Sequence, residues 1–310
     1  MKIIVTGASG FLGKNYLLST NPNDEVFAVY NNSADFLSFL HDKELSWVRP
    51  LKVNLEEPES ISKSMTKGEK FDKCIYFAAN GDPAVSVTKV GFDLRSNAVA
   101  LVNLLEHIQA GRVVFFSSGA VYDGVGGGVS YESHKSVSPH LPYAVSKLAS
   151  ELYIHFFQTK GYIDSYANVR FFGAFGPYEP ERKIYTKLIN SFAFQKSIQF
   201  SIRGNGKNFI DAMYIDDAVR AVKILENSNE SLGLDLYSGQ KKSISELVTV
   251  VAHFFGIEPE IQYVGEVPEY IEFYSVDDTM KKKFSFHCET DLLEGIKKQY
   301  EFLNEQRRTK

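Results

Sequence analysis

A glycine-rich turn near the start of the chain restricts its fold more than any other feature of the sequence. An apolar segment over residues 2–5 leads directly into Thr6-Gly7-Ala8-Ser9-Gly10-Phe11-Leu12-Gly13, and apolar residues at helical spacing follow over 11–18. Glycines at this spacing permit a tight turn in which a pyrophosphate can approach backbone N–H groups at the positive end of a helix. Because a strand precedes the turn and a helix follows it, the sequence predicts a dinucleotide-binding site.

Apolar, β-rich segments alternate with helical patterns through the first half of the chain. The segments that predict strands are residues 2–5, 25–30, 73–77, 112–116 and 165–172. Their continuous hydrophobicity is typical of a parallel sheet that is covered on both faces. Helical spacing recurs over residues 11–18, 94–108 and 143–157. The alternation predicts an α/β protein with a Rossmann-type, doubly wound parallel sheet and right-handed crossovers.

The pattern becomes less regular after about residue 173, which indicates a smaller C-terminal α/β lobe for the substrate. A helix over 184–194 and a short strand over 200–203 are expected there. The helix that begins at Asp216-Asp217 and the strand over 234–237 are expected to return to the main sheet. We therefore predict a dinucleotide-binding domain over residues 1–172 and 208–240, and a substrate-binding lobe over residues 173–207 and 241–310.

Composition argues against several other classes of function. The 34 basic and 38 acidic residues give a net charge of −4, and no stripe of Lys or Arg could follow a nucleic acid backbone. No apolar segment reaches the roughly 20 residues that span a bilayer, and the first residues do not form a signal peptide. Cys74 and Cys288 suggest neither a disulfide framework nor a metal site. The expectation is a cytoplasmic enzyme that binds no metal, nucleic acid or membrane.

A tyrosine and a lysine lie four residues apart in Pro142-Tyr143-Ala144-Val145-Ser146-Lys147, so they share one face of a predicted helix. A cation beside a phenol favours its ionised form, and we expect the pKa of Tyr143 to lie below its usual value of about 10. Such a phenol can exchange protons with a substrate hydroxyl. The strand over 112–116 ends in Ser117 and Ser118, which places hydroxyl groups at the sheet edge where open α/β sheets bind ligands.

These segments resemble the extended short-chain dehydrogenase/reductase family of the NAD-dependent epimerase/dehydratase type, in particular sugar-nucleotide epimerases of the UDP-glucose 4-epimerase kind. The resemblance extends over nearly the whole chain. Besides the glycine turn, its motifs are Phe77-Ala78-Ala79, Asn97, Ser117-Ser118-Gly119-Ala120-Val121-Tyr122, Tyr143-x-x-x-Lys147, Gly176-Pro177 and Tyr214-Ile215-Asp216-Asp217. It implies that Ser118 orients the sugar hydroxyl or ketone, that Tyr143 moves the proton, and that Lys147 binds the nicotinamide ribose and tunes Tyr143.

The resemblance also implies NAD as cofactor. The predicted cofactor-binding residues are Gly7, Ser9, Gly10, Phe11, Leu12, Gly13, Tyr30, Asn31, Asn32, Asn54, Leu55, Phe77, Ala78, Ala79, Asn97, Ser117, Tyr143, Lys147 and Phe172. Dinucleotide sites usually carry an acid after the second strand, which holds the adenosine ribose and repels a 2′-phosphate. This chain has Tyr30-Asn31-Asn32 there, so NADP stays open, and Lys14 is a candidate partner for its 2′-phosphate.

The implied substrate is a nucleoside-diphosphate sugar. The predicted substrate-binding residues are Asn80, Ser118, Gly119, Tyr122, Gly173, Arg182 and Arg203. Gly173 stands where the family commonly has an asparagine, and Ile210 stands where an arginine often pairs with the substrate diphosphate. An apolar side chain at 210 removes a charge-assisted contact, for which Arg182, Lys183 and Arg203 are candidate replacements.

The function that the resemblance implies is a nucleotide-sugar epimerase, at C4, which transfers a hydride transiently to bound NAD through a 4-keto intermediate. An NADPH-dependent 4-ketosugar reductase is the alternative. A regulatory protein that only binds a dinucleotide is a third, although it would have no need of Ser118, Tyr143 and Lys147. Helices corresponding to 94–108 and 143–157 form a dimer seam in relatives, so the resemblance implies a homodimer.

Overall fold

The computed structural model describes residues 1–267 and 271–308. Its strands are β1 (Lys2–Thr6), β2 (Glu25–Tyr30), β3 (Val48–Lys52), β4 (Glu69–Tyr76), β5 (Ile108–Phe116), β6 (Gly127–Val129), β7 (Ile163–Phe171), β8 (Ala174–Phe175), β9 (Gln199–Arg203), β10 (Phe209–Ile210), β11 (Met213–Tyr214), β12 (Leu232–Leu236), β13 (Lys242–Ser243), β14 (Glu260–Val264) and β15 (Phe273–Ser275).

The helices in the same part of the chain are α1 (Phe11–Leu18), α2 (Phe36–Asp42), α3 (Pro58–Ser64), α4 (Pro83–Thr88), α5 (Val90–Leu94), α6 (Ala100–Leu105), α7 (Pro142–Thr159), α8 (Ile184–Ile189), α9 (Ile215–Leu225), α10 (Ile244–Phe254), α11 (Thr279–Phe284) and α12 (Leu292–Arg308). Two π-helical turns and one 3-10 turn add to these at Arg95–Val99, Asn190–Phe194 and Gly119–Tyr122. No helix within the described residues is both long and apolar enough to cross a membrane.

Contacts between residues divide the chain into two compact units. The first unit consists of Met1–Gly124, Tyr131–Phe171 and Val219–Asp235. The second unit consists of Val125–Ser130, Phe172–Ala218 and the chain from Leu236 onwards. Each unit is therefore assembled from segments that are distant in sequence.

The first unit contains a seven-stranded sheet in the order β12-β7-β5-β4-β1-β2-β3. The five pairings from β3 to β7 are all parallel. Strands β2 and β3 follow on one side of β1, and β4 then lies on the other side of β1. Ligands of open α/β sheets bind at such a reversal, beside the carboxyl ends of the strands. The predicted doubly wound α/β fold is confirmed.

The core of the first unit comes from the continuous apolar runs in its central strands. Ile3, Ile4 and Val5 of β1 and Val113 and Val114 of β5 are fully buried. Burial on both faces of a sheet explains why these segments do not alternate between apolar and polar residues. Burial of apolar surface contributes about 25 cal/mol per Å² to stability, so these strands stabilise the sheet whose edge carries the site.

The structure changes some boundaries that the sequence predicted. The helix expected over 94–108 starts earlier, as α5, passes through the π-helical turn and ends at Leu105, while Ile108 already belongs to β5. Strand β4 starts at Glu69, four residues before the predicted start. The first four residues of β4 are mostly charged, so the apolar pattern does not show where the strand begins. The pairing of β4 with β5 begins at Glu69, which lies opposite Ile108.

The second unit is built from short strand pairs and helices. Strands β8 and β11, β9 and β14, and β6 and β15 pair in parallel, whereas β10 and β13 pair antiparallel. Helix α10 begins with a capping box in which the Ser243 hydroxyl accepts from the Glu246 N–H and the Glu246 carboxylate accepts from the Ser243 N–H. The strand predicted over 234–237 is β12, at the edge of the large sheet.

Candidate active site

The glycine turn between β1 and α1 has the form that a pyrophosphate site needs. Gly7 has a φ of +62°, and a Cβ atom there would lie 2.7 Å from the backbone nitrogen of Ala78. A Cβ atom on Gly13 would lie 2.3 Å from the carbonyl oxygen of Gly7, so only glycine allows α1 to pack this closely on the strand. Gly10 precedes α1 without a capping side chain, which leaves first-turn N–H groups for an anion. The residues present therefore fit a dinucleotide.

The structure reveals a carboxylate beyond β2 that sequence reasoning missed. Asn31 and Asn32 are exposed, as is Asp35 just before α2. Asp35 accepts from Lys14 Nζ at 2.7 Å and from Ser33 Oγ at 2.5 Å, and these two contacts lower its pKa to about 2. An acid that binds the ribose is expected directly at the strand end, whereas Asp35 lies five residues after Tyr30.

Two further segments that are predicted to bind the cofactor form hydrogen bonds at the edge of the sheet. The backbone N–H groups of Phe77 and Ala78 donate to the carbonyl and hydroxyl oxygens of Thr6, at 3.3 and 3.2 Å. Asn54 Nδ2 donates to Glu57 Oε1 at 2.9 Å, and Leu55 is buried. These bonds hold the ends of β1 and β4 side by side, and they shape the loop that follows β3.

Ser118, Tyr143 and Lys147 come together at the carboxyl end of β5. Lys147 is buried on α7, and its Nζ donates to the carbonyl oxygen of Phe116 at 2.8 Å. The same Nζ lies 6.0 Å from the centre of the Tyr143 ring. Ser118 is extended and forms the N-cap of the 3-10 turn, where its hydroxyl accepts from the Ala120 N–H at 3.1 Å.

Burial controls the ionisation of both helix residues. Loss of hydration raises the pKa of Tyr143 to about 12, although a hydrogen bond from Ser118 lowers it in part. Burial likewise lowers the pKa of Lys147 to about 8, against the opposing effects of Asp93 and Glu151. The expectation that Lys147 brings the pKa of Tyr143 below 10 is therefore wrong, because desolvation of the phenol and the charge of Asp93 both raise this pKa.

Asn80 and Asn97, predicted as substrate and cofactor contacts, belong to a network around a buried aspartate. Asp93 on α5 is fully buried, and its Oδ1 accepts from Asn80 Nδ2 at 2.8 Å and from Asn97 Nδ2 at 2.9 Å. Its Oδ2 accepts from Ser146 Oγ at 2.8 Å. Asn97 lies in the π-helical turn, a distortion that is common at functional sites. Asp93 stands alone between Phe92 and Leu94 and belongs to no short motif, so the sequence contains no signal for it.

The side chains of Ser117 and Tyr122 point to partners inside the first unit. Ser117 Oγ donates to Glu151 Oε1, and Glu151 forms a buried ion pair with Arg170, with 3.0 Å between Nη2 and Oε2. Tyr122 is fully buried and donates to Asp235 Oδ1 at 2.6 Å. These contacts fix the strand end that presents Ser118.

Several predicted ligands belong to the second unit. The Phe172 ring packs on Tyr237 with 6.1 Å between centroids. Gly173 has a φ of +119°, a conformation in which any side chain would be strained, an asparagine included. Arg203 is exposed, and its Nε donates to the Glu266 carbonyl at 3.2 Å. Arg182 is exposed as well.

The strand pair β10–β13 brings a further cation to the second unit. Lys242 lies opposite Ile210 in the antiparallel register. Sequence reasoning did not consider Lys242, because the two residues are 32 positions apart and only strand pairing makes them neighbours.

Comparisons with known proteins agree with this geometry. The model of the NAD dependent epimerase/dehydratase family matches residues 3–235. A putative UDP-glucose 4-epimerase from Methanocaldococcus jannaschii is 25% identical over 325 residues, which cover 99% of this chain and 100% of that protein.

Two solved structures share the fold. MoeE5 in complex with UDP-glucose and NAD has a TM-score of 0.84 and 24% identity, and the match covers 99% of this chain and 100% of that one. A UDP-glucuronic acid 4-epimerase from Bacillus cereus, in complex with UDP-glucuronic acid and NAD, has a TM-score of 0.83 and 20% identity at the same coverage. Since the family model covers most of the chain, this protein belongs to the NAD dependent epimerase/dehydratase family, whose members are enzymes of the extended short-chain dehydrogenase/reductase type.

Proposed function

We propose that the protein is a nucleotide-sugar 4-epimerase with NAD as its cofactor. The observation that carries this proposal is the convergence of Ser118, Tyr143 and Lys147 at the edge of the sheet that also carries the glycine turn. The names of the relatives, a putative UDP-glucose 4-epimerase and a UDP-glucuronic acid 4-epimerase, support both the reaction and UDP-sugars as the substrate class.

Each residue of the site has a distinct role in this reaction. Bound NAD supplies the acceptor and donor of the C4 hydride, together with a positively charged ring that favours a phenolate nearby. Tyr143 takes the proton of the C4 hydroxyl and returns it after the sugar has turned. Ser118 donates to the same oxygen and orients it. Lys147 keeps its position through the Phe116 carbonyl and has N–H groups left for the nicotinamide ribose.

The alternatives have less support. The NADPH-dependent reductase rested on the lack of an acid after β2, but Asp35 lies near this strand end and pairs with Lys14. A carboxylate there disfavours a 2′-phosphate. A dehydratase would need an acid beside Ser118 for water elimination, whereas Gly119 and Ala120 follow it. A purely regulatory protein would not need a buried ammonium beside a phenol.

We also propose a homodimer that forms through α5 and α7. Both helices expose large apolar side chains, which are Val90, Phe92, Leu94, Val145, Leu152, Tyr153 and Phe156. Several large apolar side chains exposed on two helices are typical of a protein interface. Leu152, at 66% exposure, is the most exposed of them. Leu152→Glu should convert a dimer to a monomer in sedimentation velocity, and an unchanged sedimentation coefficient would contradict this interface.

The proposed location is the cytoplasm. The sequence has two cysteines, Cys74 and Cys288, and Cys74 is buried. So low a cysteine content agrees with a reducing compartment, because secreted proteins commonly depend on several disulfides.

The central experiment identifies the cofactor and the reaction in one preparation. The nucleotide released from purified protein is identified by mass spectrometry, and the protein is then incubated with UDP-glucose, UDP-N-acetylglucosamine and UDP-glucuronic acid. Interconversion of C4 epimers, measured by NMR without added cofactor and without a net change at 340 nm, is the expected result. Consumption of added NADPH with a 4-keto sugar, without epimerisation, would overturn the proposal.

A further inference from the structure

We propose that Asp93 is a positioning residue whose buried carboxylate is the counter-charge of Lys147 and keeps this ammonium beside Tyr143. The inference rests on the roles proposed above for Tyr143 and Lys147. No residue predicted from the sequence supplies this counter-charge. Asp93 lies on α5, whereas Tyr143 and Lys147 lie on α7.

In the described part of the chain, Asp93 is buried without a directly bonded cation. The side chain has no solvent exposure. Its hydrogen-bond partners in the described part of the chain are Asn80, Asn97 and Ser146, which are all neutral. Buried charges in proteins are usually paired with an opposite charge, since the removal of an ion from water is costly.

Two carboxylates, those of Asp93 and Glu151, act on Lys147. Both Asp93 and Glu151 raise the pKa of Lys147 against the effect of burial. Glu151 already has its own cation, because Arg170 binds it through Nε and Nη2 at 3.0 to 3.3 Å. Arg170 thus largely cancels the charge of Glu151. Asp93 has no such partner, so its charge is the one left to balance Lys147.

Hydrogen bonds connect Asp93 to the helix that carries Tyr143 and Lys147. Ser146, to which its Oδ2 is bonded, directly precedes Lys147 on α7. Its Oδ1 binds Asn97, in the π-helical turn, and Asn80, in the loop after β4. The carboxylate therefore joins α7 to the loop and the turn while it supplies the charge. Among the residues that the structure describes, Tyr143 and Glu151, both on α7, are the further titratable groups near Lys147, and Asp93 also raises the pKa of Tyr143.

The substitution Asp93→Asn separates charge from hydrogen bonding. The amide oxygen can still accept from Asn80 and Asn97, and the amide nitrogen can donate to the Ser146 hydroxyl, which accepts as well as donates. Ser146→Ala is the matched control, because it removes one hydrogen bond of Asp93 and leaves the charge in place. A structural role and an electrostatic role therefore give different results in this pair.

The test is a titration of Lys147 by NMR in protein labelled with ¹³Cε-lysine, in which the signal is assigned by its loss in Lys147→Arg. In Asp93→Asn the midpoint should move to lower pH by about one pH unit. In Ser146→Ala it should stay at the parent value. Equal midpoints in Asp93→Asn and the parent would overturn the inference. This titration needs no turnover, so it is independent of whether the protein is an epimerase.

A second variant covers the outcome in which Asp93→Asn does not fold. Removing Asp93 alone leaves the Lys147 ammonium buried without compensation, which is costly. The double variant Asp93→Asn/Lys147→Met removes both charges, and it should recover the thermal midpoint that the single variant loses. If the double variant is as unstable as Asp93→Asn, the two residues are not a charge pair and the inference is wrong.

Discussion

Lys147 Nζ donates to the carbonyl oxygen of Phe116 at 2.8 Å, and this bond fastens α7 to the last residue of β5. The ammonium is therefore held at a fixed place, and Lys147 is only 3% exposed. Its pKa of about 8 has a direct consequence for pH dependence. Because the amine is charged below this pH, its interaction with cofactor and with Tyr143 should be present below pH 8 and should be lost as the pH rises through this value.

Binding of NAD, measured by isothermal titration calorimetry between pH 6 and 10, should accordingly weaken above about pH 8. Lys147→Arg is the control, because a guanidinium keeps its charge throughout this range. Its affinity for NAD should not fall between pH 8 and 10. If parent and variant weaken at the same pH, another group causes the transition.

Tyr143→Phe should reduce the epimerisation rate by roughly 10²- to 10⁴-fold, because it removes the group that takes and returns the proton. Thermal stability and NAD content should change little. Tyr153→Phe is the matched control on the same helix, because it removes a hydroxyl that has no proposed role in the reaction and keeps the ring that the proposed dimer contact uses. A Tyr143→Phe variant that turns over at the parent rate would remove Tyr143 from the mechanism.

Two substitutions in the glycine turn should affect different properties, one the binding of NAD and the other the free energy of unfolding. Gly10→Val should leave the fold intact and abolish NAD binding, because the side chain enters the space of the pyrophosphate. Gly13→Ala should lower the free energy of unfolding by about 1–3 kcal/mol, since its methyl group meets the Gly7 carbonyl oxygen. Chemical denaturation and NAD titration of both variants check this difference. Equal loss of stability in the two would contradict it.

Asp35 is expected to favour NAD over NADP. Asp35→Asn releases Lys14 and removes a negative charge, so the affinity for NADP should rise by roughly tenfold. Asp42→Asn, an exposed acid at the end of α2, should leave the NADP affinity unchanged. Fluorescence titrations with both dinucleotides measure the ratio. The prediction is wrong if the two variants have the same ratio.

Much of the first unit was predictable because its signals are local. The bounds of β2 and α1 agree with the sequence patterns, since one unbroken apolar run and one helical period define each. The glycine turn and the Tyr143–Lys147 spacing are equally local. The helix expected over 94–108 was less accurate because apolar spacing does not show where a π-helical turn or a strand begins.

By itself, the sequence determined the doubly wound fold, the dinucleotide turn and the presence of Ser118, Tyr143 and Lys147, because periodicity and short spacings carry this information along the chain. Only the tertiary structure decided their electrostatics. Asp35 meets Lys14 across 21 positions, and Asp93 meets Ser146 across 53. Burial then sets the pKa of Tyr143 above its usual range, opposite to the local expectation. Desolvation and pairing depend on which atoms surround a group in space, and residue spacing does not determine that.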